Sequence, residues 1–479
     1  MIGSKMLKKV FVWGGVFFCV LFLTYAIWVI VAMNRVATIS VDYVAKVNEV
    51  TSALQSKDRS WVFYRRAGIA LRLNEMPKDV FYDNDHDTPV WPSQDGWEHY
   101  AIWIDGHDNT LELLHQASTK QGFGYFIKGR IQEEDKELWP EAYATQADTP
   151  DDGFMLSVLL PQLIPMRNMA QLLAADAKQS AYEGDAIRCL QDLMTMLQMG
   201  KHLREHPILL NDLLSFAIYN QTFVTIGKIV EHAPALFSNE QFKALEQALR
   251  SLDGFMAIRL AGERYFMLDL LQRMYTDDGN GDGSIIPLDA ARLYANTQSV
   301  TDVRSEISLV PAFFAPLADI FHPSRKEMLD EYTARMDSME AVIGMPLHVL
   351  RQKPELLHTE AYPSSSTLDP YFLIHLLMPA LENAVLHGEY TRARRDAMLA
   401  VLFAVQQFNK TGSWPSSLID TDVVDAWNGE PLKIKLVHGE PVIYSVGYDL
   451  DDDGGIPQKG APGWSEKFVN DWVIWPNAL

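Results

Sequence analysis

Cysteine is nearly missing: the 479 residues hold two, Cys19 inside an apolar stretch and Cys189 with no obvious partner. No disulfide framework is available, so the fold must rest on its core, which a chain of this size can supply even outside the cytoplasm. Positive charge is also short, with 41 Lys and Arg against 62 Asp and Glu and a net charge of -21. Such a chain repels a phosphate backbone, which excludes nucleic acid as a partner, while suiting divalent cations. There is no Gly-x-Ser-x-Gly elbow, no phosphate loop with Gly-Lys-Ser/Thr and no Cys-x-x-Cys pair. Nothing here assigns a catalytic residue or names a catalysed reaction.

What is present begins with a membrane segment. Phe11 to Met33 is an uncharged run of 23 residues. At 1.5 Å per residue it can cross about 30 Å of hydrocarbon. Lys5, Lys8 and Lys9 precede it and only Arg35 follows closely. The positive-inside rule therefore keeps residues 1–10 cytoplasmic and places the rest in the periplasm or outside the cell, on a single-pass inner (cytoplasmic) membrane anchor. A cleaved signal peptide has an apolar core of only about 7–15 residues, so the anchor is expected to stay.

The body, 34–393, reads as helical. The size of the whole chain predicts two or three structural units, and its 48% hydrophobic and 22% charged residues are a globular composition. Val36 to Gln55 lacks Gly and Pro and spaces Val41, Val44, Val47 and Leu54 as a juxtamembrane helix. Ile187, Leu190, Met194 and Leu197 form one stripe, and Leu213, Phe216 and Ile218 start another. Ser238 with Gln241 is a capping-box start ahead of Phe242, Leu245 and Leu249. Met194, Met196 and Met199 read as core fillers. Asp83, Asp85 and Asp87 lie in a stretch with Thr88 at the turning position and read as solvated loop.

Mid-chain, Asp278, Asn280, Asp282, Gly283, Ser284, Ile285 and Asp289 fall at the spacing of a calcium loop. Oxygen ligands at alternate positions wrap one cation, glycine permits the sharp turn and Ser284 offers its carbonyl. The pattern resembles an EF-hand or dockerin-like loop, with Asp289 in place of the longer Glu.

The C-terminal stretch 394–479 changes character. A helix around Arg392 to Phe408 leads into Gly412-Ser-Trp414-Pro415, followed by strand-like segments Leu432 to Val437 and Pro441 to Val446. Four blocks follow in order: Asp425-Ala-Trp427-Asn428-Gly429-Glu-Pro431-Leu432, Tyr444-Ser445-Val-Gly447-Tyr-Asp449, Asp453-Gly454-Gly455 and Asp471-Trp472-Val-Ile-Trp475. Over about 394–476 this resembles the globular domain of the major pseudopilins of type II secretion. The resemblance implies a small α+β domain stabilised by calcium (Ca2+), with ligands among Asp449, Asp451, Asp453 and Asp471. The N-terminus departs from that family, having no Gly-Phe-Thr-Leu-Ile-Glu-like junction, so polymerisation as a pilin is not expected.

One enzymatic pattern stands out. His202-Leu-Arg-Glu205-His206 follows the His-x-x-Glu-His order of inverted zinc peptidases, though Pro207 places the pair at a helix end. The reading is therefore a mainly α protein: transmembrane helix, multi-helix body and α+β pseudopilin-like tail. Its expected role is non-enzymatic, a calcium-binding structural or interaction protein with an unidentified protein partner, in secretion or pilus-like assembly. The alternative is an extracytoplasmic zinc-dependent hydrolase.

Overall fold

The computed structural model describes residues 2–73, 91–146, 153–287, 322–353, 356, 371–456 and 470–476. Within them the chain is mainly helical, with one small sheet. The principal helices are α1 (Ile2–Met33), α2 (Trp61–Leu73), α3 (Trp97–Asp105), α4 (Asp108–Ser118), α5 (Leu163–Glu183), α6 (Ala186–Leu203), α7 (Leu209–His232), α8 (Asn239–Arg250), α9 (Ala261–Met274), α10 (Arg325–Glu340) and α11 (Phe372–Thr411). Two of them are long and apolar enough to cross a membrane, α1 and α7. Only α1 keeps its apolar surface uncovered; α7 is mostly buried inside the protein, as a core helix is.

The body has two apolar clusters, and α6 serves both. Cys189, Leu193 and Leu197 face a cluster that takes in α7 to α11 and the sheet. Met196, Met199 and Leu203 face a second, aromatic-rich cluster built on α2 to α5. On α7, Phe216 belongs to the first and Ile218 to the second, so the stripe expected on one side is two opposed faces. Met196 and Met199 are fully buried core residues. Ile187 leaves the expected stripe and is 76% exposed, because it sits in the first turn of α6 where no helix lies over it.

Close approach of α6 to α7 depends on Gly200, whose missing Cβ would lie 2.2 Å from the Tyr219 ring. Gly184 closes the α5–α6 hairpin in the left-handed region, at φ 82°. Ser238 and Ser324 start α8 and α10 with complete capping boxes. The expected juxtamembrane helix is broken into two turns, Tyr43–Val47 and Glu49–Ala53. Upstream, the Gln272 amide holds Ser40 and Val41 by their backbones, accepting from Ser40 N at 3.1 Å and donating to Val41 O at 2.8 Å. That clamp favours extended chain before Asp42 caps the first turn.

At the C-terminus, β1 (Lys433–Val437), β2 (Glu440–Ser445) and β3 (Trp472–Trp475) form an antiparallel sheet in that order. His438 and Gly439, both at positive φ, make the two-residue turn between β1 and β2. α11 runs unbroken through residue 394, and Trp427, Ile443, Trp472 and Trp475 join the same cluster as α7 and α11. Trp475 Nε1 donates to Gly227 O of α7 at 3.0 Å.

The α6–α7 corner is tied by charge. Asp212 is inaccessible; its carboxylate accepts Arg259 N at 3.0 Å and pairs with the guanidinium of Arg259 and, at 3.3 Å, with that of Arg204. Arg204 also donates to Phe255 O at 2.7 Å, and Arg259 to His206 O at 2.9 Å. Asp212→Ala strands two guanidinium groups in this corner and is expected to lower unfolding free energy by about 3–5 kcal/mol. The shift in urea midpoint of the detergent-solubilised chain measures it; a shift under about 1 kcal/mol would show that the corner tolerates the loss.

Candidate cation sites and the buried histidines

The tail site is assembled where β2 leaves the sheet and β3 enters it. Asp425 is a staple beneath it: buried, it accepts Ser445 Oγ at 2.8 Å and the backbone N–H of Trp427 and Val446 at 2.9 Å each. Beyond Val446 the chain turns through Leu450 at φ 68° and through Gly454 and Gly455 at 73° and 78°. Asp449 accepts from Asp451 N and Asn470 N, each at 3.3 Å. Asp452 takes the Tyr444 hydroxyl at 3.0 Å and Gly454 N at 3.1 Å, and lies 3.8 Å from Lys433 Nζ.

Asp471, immediately before β3, is fully inaccessible. Its Oδ2 accepts Gly455 N at 2.6 Å, while Oδ1 has no hydrogen-bond partner. Burial first, then the nearby carboxylates of Asp452 and Asp453, push its carboxyl above the ordinary carboxylate range, against the backbone N–H bonds it accepts. A buried carboxylate oxygen without a donor costs free energy unless a proton or a cation meets it. Residues 449–455 and 471 thus place Asp449, Asp451, Asp453 and Asp471 in one loop region, although among the described residues no three of their carboxylates are grouped to hold a metal ion; Asp452, absent from the sequence expectation, turns to Tyr444 and Lys433.

The mid-chain loop is a hairpin-like turn between α9 and α10, held by an isolated pairing of Tyr275 with Ile285. Asp278 Oδ1 accepts Asn280 N at 2.7 Å and Asp282 N at 3.1 Å. Asp282 Oδ1 accepts Gly283 N at 2.7 Å and, across the fold, Lys326 N at 3.1 Å in the first turn of α10. Those two bonds hold the Asp282 carboxyl below its usual range. The carbonyl of Ser284 is taken by Thr276 N at 3.0 Å, and Arg325 pairs with Asp277 at 2.8 Å. Asp278, Asn280, Asp282 and Ser284 lie together in this turn, and its negative charge already meets the N-terminus of α10. Asp289 lies outside the described residues, as do Asp83, Asp85 and Asp87.

α6 ends at Leu203, so His202 and His206 are not side by side on one helix. His202 Nδ1 is 2.9 Å from the Tyr64 hydroxyl and its Nε2 is 3.0 Å from Lys120 O, which sets Nε2–H as donor and Nδ1 as acceptor. His206 Nε2 is 3.0 Å from Thr51 Oγ1, whose hydroxyl donates to Glu205. Glu205 further accepts Phe123 N at 2.6 Å and Gly124 N at 3.1 Å. Glu263 accepts Leu209 N at 3.2 Å at the start of α7. Among the described residues no three His, Cys, Asp or Glu side chains are grouped to hold a metal ion. The peptidase-like motif is here a polar seam joining the residue 51–125 layer to the α6–α7 corner.

Sequence reasoning missed a third arrangement. His115 of α4 pairs with Asp192 of α6 at 2.7 Å, beside the Asp176–Arg188 ion pair that links α5 to α6. The partners lie 77 residues apart, and no local spacing signals them. Neither a known protein family, nor a curated protein, nor a solved structure matches this chain.

Burial lowers the pKa of His202 to about 4 and of His206 to about 3. Both lie below the ordinary histidine value of 6.5, so below that pH the unfolded chain binds the protons first. Stability contributed by the neutral rings is therefore full above pH 6.5 and lost as the pH falls towards about 4 and then about 3. Urea midpoints against pH should show this loss, on the order of 3–5 kcal/mol per ring. A His202→Gln, His206→Gln double variant should flatten that acid limb, and an equally steep limb in the variant would refute the assignment.

Proposed function

We propose that this is a membrane-anchored, extracytoplasmic structural or interaction protein whose C-terminal loop is closed by calcium. The observation that carries the reading is Asp471 Oδ1, a buried carboxylate oxygen with no hydrogen-bond partner among the described residues, beside the loop that carries Asp449, Asp451 and Asp453. Among the described residues, the cations set against the carboxylates of residues 449, 451, 452, 453 and 471 are Lys433, 3.8 Å from Asp452, and Lys435, which donates to Gly454 O at 2.9 Å. A hard divalent ion taking carboxylate and carbonyl oxygens offsets the surplus charge and meets the orphaned oxygen. The order of the sequence blocks, resembling that of pseudopilins, supports the same choice of ion and a setting in secretion or pilus-like assembly. The mid-chain turn adds less, since α10 and Arg325 already satisfy much of its charge.

Anchoring rests on α1, an N-terminal apolar helix with nothing packed over most of it. The lysines before it support a cytoplasmic N-terminus and an exported body. An interaction role fits the lack of a grouped catalytic set better than hydrolysis does, because both ring nitrogens of His202 are engaged by Tyr64 and Lys120.

Thermal unfolding of the detergent-solubilised chain in calcium and in EGTA tests the reading. An ion at about 100 times its Kd adds about 2.7 kcal/mol, which is a shift of a few degrees for a chain this long. Asp471→Asn and an Asp449→Ala, Asp453→Ala double variant should lose the shift while unfolding in EGTA like the parent. Identical melting in calcium and EGTA for the parent sinks the proposal.

A further inference from the structure

The far end of α1 is tied to the body. Arg35, just past the helix, donates from Nη1 to Ile285 O at 3.0 Å, and Ile286 N donates to Met274 O in the last turn of α9 at 2.7 Å. From there the chain runs along α9, where Gln272 holds Ser40 and Val41 and donates from Nε2 to Asp269 Oδ1 at 2.7 Å. The other oxygen of the inaccessible Asp269 accepts Met155 N, also at 2.7 Å. A segment distant in sequence is thereby laid beside residues 40–42 on the same helix. Gly153 marks how close the two come, its missing Cβ lying 3.6 Å from Asp42 Oδ1.

Both segments present apolar side chains to the outside. Val36, Ile39 and Leu156 are 76%, 54% and 43% exposed. Single exposed aliphatic residues are ordinary on a protein surface, so exposure alone says nothing. These three, however, are held by one buried carboxylate–amide pair to the helix on which an uncovered apolar span ends. Next to Leu156 the ring of Phe154 lies 4.7 Å from the guanidinium carbon of Arg273, which also pairs with Asp269. Aliphatic side chains, an aromatic ring and arginines beside the end of an apolar span make up the composition of a membrane–water boundary. There the apolar groups enter the headgroup level while guanidinium groups reach back to phosphate and water.

We propose that Val36, Ile39 and Leu156 form one face seated in the lipid headgroup interface of the bilayer that α1 crosses. The proposal rests on the reading of α1 as an anchor. It goes further because Leu156 is joined to α1 only through the fold, so the body is held to the membrane at a second place and α9 lies beside the lipid surface.

Spin labels on single cysteines test this in the full chain reconstituted into phosphatidylcholine nanodiscs, on a Cys19→Ser background, Cys189 being buried. The label positions are Phe22→Cys in α1, Ile39→Cys and Leu156→Cys on the proposed face, and Ile187→Cys at the exposed start of α6. All four side chains are exposed, so the labels displace no core. Collisions with oxygen, which concentrates in lipid, are compared with collisions with a water-soluble nickel chelate. The oxygen-to-chelate ratio should be highest at residue 22, lowest at 187 and severalfold above the latter at 39 and 156. A high ratio at 22 with 156 no different from 187 overturns the proposal and leaves the anchor standing. A ratio at 22 as low as at 187 refutes the anchor, and the second contact with it.

Discussion

Asp212 sets the geometry on which the rest of the body hangs. A single inaccessible carboxylate joins Arg204, at the end of α6, to Arg259, ahead of α9, where α7 begins. A buried charge is retained only when its partners are fixed around it, so this corner fixes the angle at which α6 turns into α7. Both helices are buried on two faces, and a change in that angle would misplace the two apolar clusters together. Gly200 and Tyr219 show how little freedom remains between them.

The same corner accounts for the histidine motif. Residues 204–208 cross from α6 to α7 through a buried layer, and their neighbours 120–125 bring backbone groups outside any helix or sheet. Glu205 meets two such N–H groups, His202 a carbonyl and His206 the Thr51 hydroxyl. Two imidazoles and a carboxylate in that order are what a buried chain crossing needs for satisfaction, so the pattern that resembles a zinc motif has a structural cause.

Periodicity made visible in the sequence whatever depends on neighbours three or four residues apart. The capping box at Ser238, the stripe Phe242, Leu245 and Leu249, the strands either side of His438-Gly439 and the apolar N-terminal helix were all legible on that basis. Partition between two cores was not, because a helix buried on opposite faces shows apolar residues all round and names neither partner. The break before Asp42 was hidden too, since its cause is Gln272, more than 200 residues away. For the candidate site residues the division is similar: Asp449, Asp451, Asp453 and Asp471 were named from the resemblance of their blocks, while His115 and Asp192 meet only through helix packing.

How far calcium at the tail would act follows from where β3 sits. Asp471 precedes Trp472, and three residues further on Trp475 donates to the carbonyl of Gly227 in the C-terminal third of α7. Trp472, Ile474 and Trp475 are buried in the cluster that α6, α7 and α11 share. Holding Asp471 therefore positions a strand that is part of the body's core, and releasing it loosens a wall of α7. A cation bound in this loop would stabilise the assembly that includes α7, so its binding would register in the unfolding of the larger unit.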